Sequence, residues 1–396
     1  MRSFLLAVAL LLPLSAQAQL AQHLEAALGL DAGYRTLEAQ RSAAAARGVT
    51  ARSPIAGSPA IGGAIRSDTR GPREAREFDL DFGAPIWLPG QRGALLGTVE
   101  SAVAEFDQRL VLRRLEVAGL LREAWWEAAE ARRLRDLTGE RLSTAREIAR
   151  DVTRRAELGD IPPTEALLAR NETLGAELAL SQAEALTAAT LAAYRTLTGG
   201  RDPNLPLEAV RPQSTNRGLP RDRHPALRTA EAALANAEAR QRLVAATPRD
   251  NPELGVFGRQ ESGVGTTEST SIGLRFRIPL GTEARNAPRR AEAESEITRA
   301  TAELAQTRRV IDAAVARAQA ALRATDAAQR IAQQRLTLAN EQEGIALRAF
   351  RAGETGTFDL YRVRQLRLDA ATDAARATTE AGRARSRLNQ AAGVLP

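Results

Sequence analysis

The sequence contains no cysteine and no lysine, and only two histidines and one methionine among its 396 residues. Without cysteine the chain cannot form a disulfide framework, a thiolate zinc site or an iron–sulfur site. Two histidines, His23 and His224, are too few for a multi-histidine metal centre. Neither has a partner residue at a suitable spacing, so we expect both at the surface or in a linker. No activated nucleophile or phosphate-binding loop stands out. We therefore expect no enzymatic activity, no cofactor and no bound metal.

Aromatic residues make up only 4% of the chain, so a packed core must consist of aliphatic side chains and alanine. All 55 basic residues are arginine, against 48 acidic residues, which gives a formal net charge of +7. A basic excess can indicate a nucleic-acid partner. Because the acidic residues are interleaved with the arginines, we favour solvated helix faces instead and predict no nucleic-acid partner.

Residues 1–18 are predicted to be a secretory signal peptide. Arg2 supplies the positive charge, residues 4–14 the apolar segment, and Ala16-Gln17-Ala18 the cleavage motif, so the processed chain would begin at Gln19. An uncleaved anchor is the alternative. No later stretch has 18 consecutive apolar residues, and a membrane-spanning helix needs about 20. We expect an exported protein without an inner-membrane helix.

A single offset of 194 residues relates the second half of the chain to the first. Gly159-Asp160 recurs as Gly353-Glu354, and Leu80-x-Phe82-x-x-Pro85 recurs as Leu274-x-Phe276-x-x-Pro279. We therefore predict a first repeat over 19–199 and a second repeat over 226–396. The segment 200–225, rich in proline and glycine, would link them.

Each repeat contains a segment in which apolar and polar residues alternate with period two, which predicts a strand with one apolar face. The apolar positions are Phe78, Leu80, Phe82, Ile272, Leu274, Phe276 and Ile278. The intervening charged positions are Asp79, Asp81, Arg275 and Arg277. Weaker partner strands are predicted over about 59–67 and 252–260, and the opposite charges on the two hairpins suggest pairing across strands.

A helical stretch opens each repeat, over about 20–47 and 226–246, and a much longer helix follows the strands. In the first long run Val103, Leu110, Val117 and Ala124 recur every seventh residue, and in the second Ile297, Leu304, Ile311 and Ala318 do so. These patterns are typical of heptad seams. Helices of about 60 residues would be roughly 90–100 Å long. A second helix would return from Pro163 to Gly199 and from Thr357 to Gly393.

Four strands cannot close a membrane barrel, since bacterial barrels have at least about eight, and lipid does not tolerate an open sheet edge. If the strands face lipid, several chains must share one barrel. Two, three or four chains would supply 8, 12 or 16 strands, and the residues alone do not choose among these numbers. The charged alternate positions would then line a water-filled lumen.

Three segments resemble the TolC-like outer-membrane efflux proteins. RAELGDIPPTEALLAR at 155–170 and FRAGETGTFDL at 350–360 resemble the helix turns of that family. FGAPIWLPGQR at 82–92 is similar to its strand exit, especially in the branch that serves heavy-metal exporters of the CzcC type. The resemblance extends over essentially all of the chain after residue 18.

The resemblance implies a mainly α-helical homotrimer with a membrane β-barrel, in which long helices form an α-barrel and four strands per chain contribute to a shared 12-stranded barrel. It implies an outer-membrane location in a Gram-negative bacterium, with a long periplasmic portion. It also implies partnership with a periplasmic membrane-fusion adaptor and an inner-membrane pump, with the RND type favoured. The function would be passive conduction of substrate to the exterior, with heavy-metal cations as one cargo.

Two alternative functions stay open. One is an exported periplasmic coiled-coil protein that binds envelope partners without conducting anything. The other is the outer-membrane duct of a type I secretion system.

By the same resemblance, the two helix turns lie at the periplasmic tip and dock the adaptor. The predicted tip residues are Gly159, Asp160, Ile161, Gly353, Glu354 and Thr355. Asp160 and Glu354 would form a carboxylate ring that favours cations. The alternative is that these two carboxylates only cap the helices that follow.

Overall fold

A computed structural model describes residues 12–69, 75–203, 223–263 and 268–396, and its elements occur twice in a similar order. The first set is α1 (Leu12–Leu30), α2 (Ala32–Ala46), α3 (Gly48–Arg52), β1 (Ala60–Ser67), β2 (Ala75–Pro85), α4 (Gln91–Glu157) and α5 (Pro163–Thr198). The second set is α6 (Pro225–Ala245), β3 (Glu253–Gly263), β4 (Ser269–Arg277), α7 (Glu283–Arg351) and α8 (Thr357–Ala391). The prediction of a mainly α-helical chain with four strands is confirmed. Residues 1–11 of the predicted signal peptide and residues 204–222 of the predicted linker lie outside the described residues.

The helical stretch predicted over about 20–47 is interrupted, because Asp31 ends one helix and starts the next. The Tyr34 backbone N–H donates to Asp31 Oδ1 over 2.6 Å, which is the hydrogen bond of a helix N-cap. Arg113 donates to both oxygens of the same carboxylate over 2.9 and 2.8 Å. The Arg113 hydrogen bonds, followed by the one from Tyr34, hold the pKa of Asp31 below its ordinary value despite burial.

The four strands form one antiparallel sheet in the order β1-β2-β3-β4. In the register of the two central strands, Asp79 lies opposite Arg259 and Phe82 lies opposite Val256. On one side β1 pairs with β2, and on the other β4 pairs with β3. The two hairpins, which are far apart in sequence, therefore join along β2 and β3.

The two repeats also end their last helices in the same way. The Gly200 N–H donates to the Arg195 carbonyl oxygen over 2.7 Å, and 194 residues later the Val394 N–H donates to the Asn389 carbonyl oxygen over 2.9 Å. Gly199 and Gly393 have φ angles of +69° and +74°. A left-handed residue followed by such a bond is the common glycine ending of a helix.

The chain divides into two compact units, and α4 and α7 contribute residues to both. The sheet unit comprises Arg35–Leu112 and Pro225–Arg308. The helical unit comprises Met1–Tyr34, Arg113–His224 and Arg309–Pro396.

The core of the helical unit lies where α1 packs between α4 and α5. Its largest fully buried side chains include Trp126, Tyr194, Leu24 and Leu121. His23 Nδ1 lies 2.7 Å from the hydroxyl oxygen of Tyr194. Burial, assisted by the charge of Arg201, lowers the pKa of His23. The expectation that His23 lies at the surface without a partner is therefore wrong.

His224, also expected to lack a partner, is hydrogen-bonded to the backbone of Ala391. Burial lowers the pKa of this imidazole. Both histidines thus serve packing within the helical unit.

Trp125 and Trp126 are packing residues, as their sequence context favours. Their rings meet edge to face with centroids 4.2 Å apart, and both side chains are buried. Trp126 Nε1 donates to Ser386 Oγ over 2.9 Å, which satisfies the indole N–H inside the core. Trp126 therefore connects α4 with α8.

An ion-pair cluster lies beside these tryptophans. Arg383 and Arg387 both donate to the Glu123 carboxylate, at 2.7 to 2.9 Å. Burial alone would raise the pKa of Glu123, but the hydrogen bonds from Arg387 and Arg383 outweigh it and hold that pKa below its ordinary value. Glu123 therefore stays ionised at neutral pH.

The heptad seams are only partly buried within one chain. Val117 and Ile311 are buried, whereas Leu120, which continues the seven-residue spacing of Val99 and Phe106 along α4, is 55% exposed. A 3.6-residue helix drifts relative to a strict seven-residue repeat, so a straight helix rotates such a position away from its partner.

We expect Gly382→Ala to destabilise the helical unit. A Cβ atom at this position would overlap the indole ring of Trp126. Overpacking of this kind costs roughly 1–3 kcal/mol. Thermal unfolding of the purified protein should show a lower midpoint. Gly175→Ala is the matched control, because Gly175 lies inside α5 with no neighbouring heavy atom within 4 Å. Equal midpoints for the two variants would contradict the packing described here.

Candidate functional site

One face of the sheet carries almost only apolar side chains, and we call it the apolar face. It comprises Ile61 and Ile65 of β1, Phe78, Leu80 and Phe82 of β2, Leu254 and Val256 of β3, and Ile272, Leu274 and Phe276 of β4. The register aligns these residues in rows across the strands, for example Phe82, Val256 and Leu274. The period-two pattern therefore extends over all four strands.

Within the part of the chain that the structure describes, no other segment covers the apolar face. Leu274 and Phe276 are each 74% exposed, and Ile272 is 86% exposed. Every other member of the face is roughly half exposed or more. A continuous apolar surface of this kind marks an interaction with lipid or with another protein.

The opposite face, which we call the polar face, carries paired charges. Arg259 donates to both oxygens of Asp79 over 2.8 and 3.1 Å. Arg275 lies 2.9 Å from Asp81, although the strands that bear them are separated by β3. Arg277 pairs with Glu253 at 3.7 Å. The cross-strand pairing suggested by the alternating charges is thus present, and each of the two aspartates has a guanidinium partner.

Arg259 and Phe257 are polar-face residues that the sequence pattern alone does not indicate. The Phe257 ring covers the backbone of Gly273 on β4, and the guanidinium carbon of Arg275 lies 5.7 Å from the ring centroid. Glycine dilutes the alternation of apolar and polar residues in β3, so the sequence pattern of this strand rests on Leu254, Val256 and Gly258. Arg259 could be identified as the residue opposite Asp79, but only once the register between β2 and β3 is known.

Two features bound the sheet. Both β1 and β4 have one neighbouring strand each among the described residues, so each leaves one edge unpaired within the chain. Ile278, predicted as a strand residue, lies just beyond the end of β4 at Arg277. Pro279 follows it, and a proline has no N–H to donate to a sheet.

The two predicted helix turns have the same backbone geometry. Gly159 and Gly353 have φ angles of +81° and +78°. The Asp160 N–H donates to the Arg155 carbonyl oxygen and the Glu354 N–H to the Ala349 carbonyl oxygen, each over 2.9 Å. This six-residue closure is the Schellman motif, and it needs a left-handed residue that glycine adopts without strain.

Asp160 and Glu354 are exposed, and neither serves as the N-cap of the next helix. The N-cap residue is Pro162 for α5 and Gly356 for α8, and neither helix start has a side-chain cap hydrogen bond. Pro163 occupies the first helical position, where proline is tolerated best. Ile161 and Thr355, the remaining predicted tip residues, are partly buried within the turns.

Contacts within the helical unit tie the two turns together. The guanidinium carbon of Arg155 lies 4.7 Å from the centroid of the Phe350 ring. Tyr361 of α8 packs against the cluster formed by Ile148, Val152 and Ala169. Burial raises the pKa of the Tyr361 hydroxyl to about 12. Aromatic and apolar side-chain contacts therefore hold the two turns in place.

Among the described residues we find neither a candidate metal site nor a helix suited to cross a membrane. No group of three or more His, Asp or Glu side chains in them is arranged to hold a metal ion. None of the helices in the described part of the chain combines the length and the apolar character needed to cross a bilayer.

No family model matches the sequence. Protein CyaE of Bordetella pertussis is 32% identical over 300 residues, which are 70% of this chain. The chain spans 62% of the length of that relative.

Solved structures match nearly the whole chain. The outer membrane protein VceC of Vibrio cholerae superposes with a TM-score of 0.74 at 16% identity, covering 95% of this chain and 96% of that one. The CmeC outer membrane channel of Campylobacter jejuni gives 0.72 at 16% identity, covering 94% and 85%. The resemblance found in the sequence is confirmed at the level of the fold.

Proposed function

We propose that this chain, which has the fold of the TolC-like outer-membrane channels, is a passive duct in the outer membrane of a Gram-negative bacterium. The apolar face is the observation that carries the proposal. Its exposed leucine, isoleucine and phenylalanine side chains match a lipid-facing barrel wall, and the charged polar face matches a water-filled interior. In this arrangement Phe78, Leu80, Phe82, Ile272, Leu274 and Phe276 face lipid, and Asp79, Asp81, Arg275 and Arg277 face the lumen.

The duct is a homotrimer in this proposal. Among the described residues of each chain, the outer edges of β1 and β4 have no pairing partner, and lipid does not tolerate an unpaired strand edge. Pairing β4 of one chain with β1 of the next would satisfy both edges. Three chains of four strands each would close a barrel of 12 strands, which is within the range known for outer-membrane barrels.

The turns at Gly159 and Gly353 form the periplasmic tip in this proposal. Each turn follows a helix of more than 65 residues, 67 in α4 and 69 in α7, which begins shortly after a strand of the sheet. The exposed turns dock a periplasmic adaptor, which couples the duct to an inner-membrane pump. The chain itself catalyses nothing, and the pump supplies the energy. Asp160 and Glu354, free of a capping role, are available to form the carboxylate ring at the entrance.

An exported coiled-coil protein without a channel is the weaker candidate. It would account for α4, α5, α7 and α8, but it leaves the exposed apolar face in water. The heavy-metal branch and the type I secretion duct stay predictions about cargo, since a conduit need not bind what it carries.

We expect Leu274→Arg and Phe276→Arg to impair membrane assembly. An arginine facing the middle of the bilayer costs roughly 2–4 kcal/mol. The measurement is the amount of heat-sensitive oligomer in the outer-membrane fraction, separated by electrophoresis without boiling. Ser271→Glu is the matched control, because it adds a charge to the same strand on the polar face, opposite Arg259. Normal assembly of both arginine variants would exclude a lipid-facing β4.

The tip is tested by the combined variant Gly159→Pro and Gly353→Pro. Proline fixes φ near −65°, which is incompatible with the positive φ of both glycines. We expect trimers to form in the membrane but export to be lost, measured as survival on a compound to which the deletion strain is sensitive.

Gly356→Pro is the control within the same turn. Gly356 has φ −79°, and the corresponding N-cap of the first repeat is already a proline, Pro162. This variant should retain export. Full resistance of the Gly159→Pro, Gly353→Pro variant would show that the turns are not the docking tip.

A further inference from the structure

The polar face is nearly neutral because it carries similar numbers of guanidiniums and carboxylates in the described strands, and the two kinds of group alternate in space. Its guanidiniums in the described strands are Arg66, Arg259, Arg275 and Arg277. Its carboxylates are Glu77, Asp79, Asp81, Glu253 and Glu261. Each of these side chains lies within 4.0 Å of an opposite charge. The face therefore has no sector of a single sign.

The two central pairs differ from ordinary surface ion pairs in their geometry. Arg259 grips Asp79 with two nitrogen atoms, and the Asp79 side chain is only 16% exposed. Arg275 reaches over β3 to Asp81 while its guanidinium stays near the Phe257 ring. Arginine does not lose its proton in the physiological pH range. The charges of Asp79 and Asp81 are therefore balanced by their arginine partners throughout the physiological pH range.

We propose that Arg259 and Arg275 determine the charge selectivity of the duct at membrane level. This inference rests on the proposed function, because it requires the polar face to line the lumen. Rings of unpaired carboxylates make a pore cation-selective, and rings of unpaired guanidiniums make it anion-selective. By covering Asp79 and Asp81, the two arginines produce a wall without a preferred sign. The membrane segment then passes solutes of either charge.

The test is a mutant cycle measured by reversal potential in planar bilayers under a KCl gradient. All variants carry Asp160→Asn and Glu354→Gln, so that tip carboxylates do not mask the wall. Removing the guanidiniums with Arg259→Gln and Arg275→Gln should raise the K⁺/Cl⁻ permeability ratio about fivefold, because uncovered carboxylates then attract cations along the pore. Removing the carboxylates with Asp79→Asn and Asp81→Asn should lower the ratio by a similar factor.

Two further variants separate charge from shape. The quadruple variant, which removes both pairs, should return to the starting ratio. Arg259→Lys with Arg275→Lys keeps both charges and should also leave the ratio unchanged. If the glutamine variant does not yield heat-sensitive oligomers, the asparagine variant alone decides, since it removes the other half of the same pairs.

The outcomes distinguish this inference from the function on which it rests. If the background protein forms no ion-conducting pores, the duct itself is disproved. If pores form and the permeability ratio is the same in all variants, the duct stands and the role of Arg259 and Arg275 is overturned. A ratio that falls on removal of the guanidiniums would overturn it as well.

Discussion

The apolar face of the sheet cannot stay in contact with water, and this constraint organises the rest of the molecule. Ten leucine, isoleucine, valine and phenylalanine side chains, three of them on β4, lie on one side of four strands, and no other described residue of the chain covers them. Two unpaired edges bound the same surface. Hydrocarbon can surround the apolar side chains but cannot form hydrogen bonds with the unpaired strand edges. Neighbouring copies of the chain can pair with these edges but leave the apolar side chains exposed. The proposed assembly of several copies within a bilayer would satisfy both requirements.

The reverse side of the sheet meets the opposite requirement. Asp79 and Asp81 lie two residues apart on the same face of β2, so their carboxylates would repel each other if they had no partners. The contribution of arginines from the second hairpin resolves this conflict, since Arg259 pairs with Asp79 and Arg275 with Asp81. In these two central pairs the first hairpin supplies the carboxylates and the second hairpin supplies the guanidiniums.

Sequence patterns predict the helices, strands and turns of this fold. They do not predict contacts between residues that are far apart in the sequence. The alternation in β2 and β4, the glycine turns and the long helices follow from local periodicity, and the structure has them. Arg259 and Phe257 were missed because their role depends on the register between distant strands. His23 and His224 were misjudged because their partners, Tyr194 and Ala391, are more than 160 residues away. The division at Asp31 depends partly on Arg113, which no local pattern indicates.

The environment of the apolar face can be measured directly because the chain has no cysteine of its own. A single cysteine in place of Leu274 or Ser271 would carry a bimane fluorophore on opposite faces of β4. Our account predicts that brominated lipid quenches the label at 274 and that aqueous iodide quenches the label at 271. Quenching of the label at 274 by iodide but not by brominated lipid would contradict the central claim.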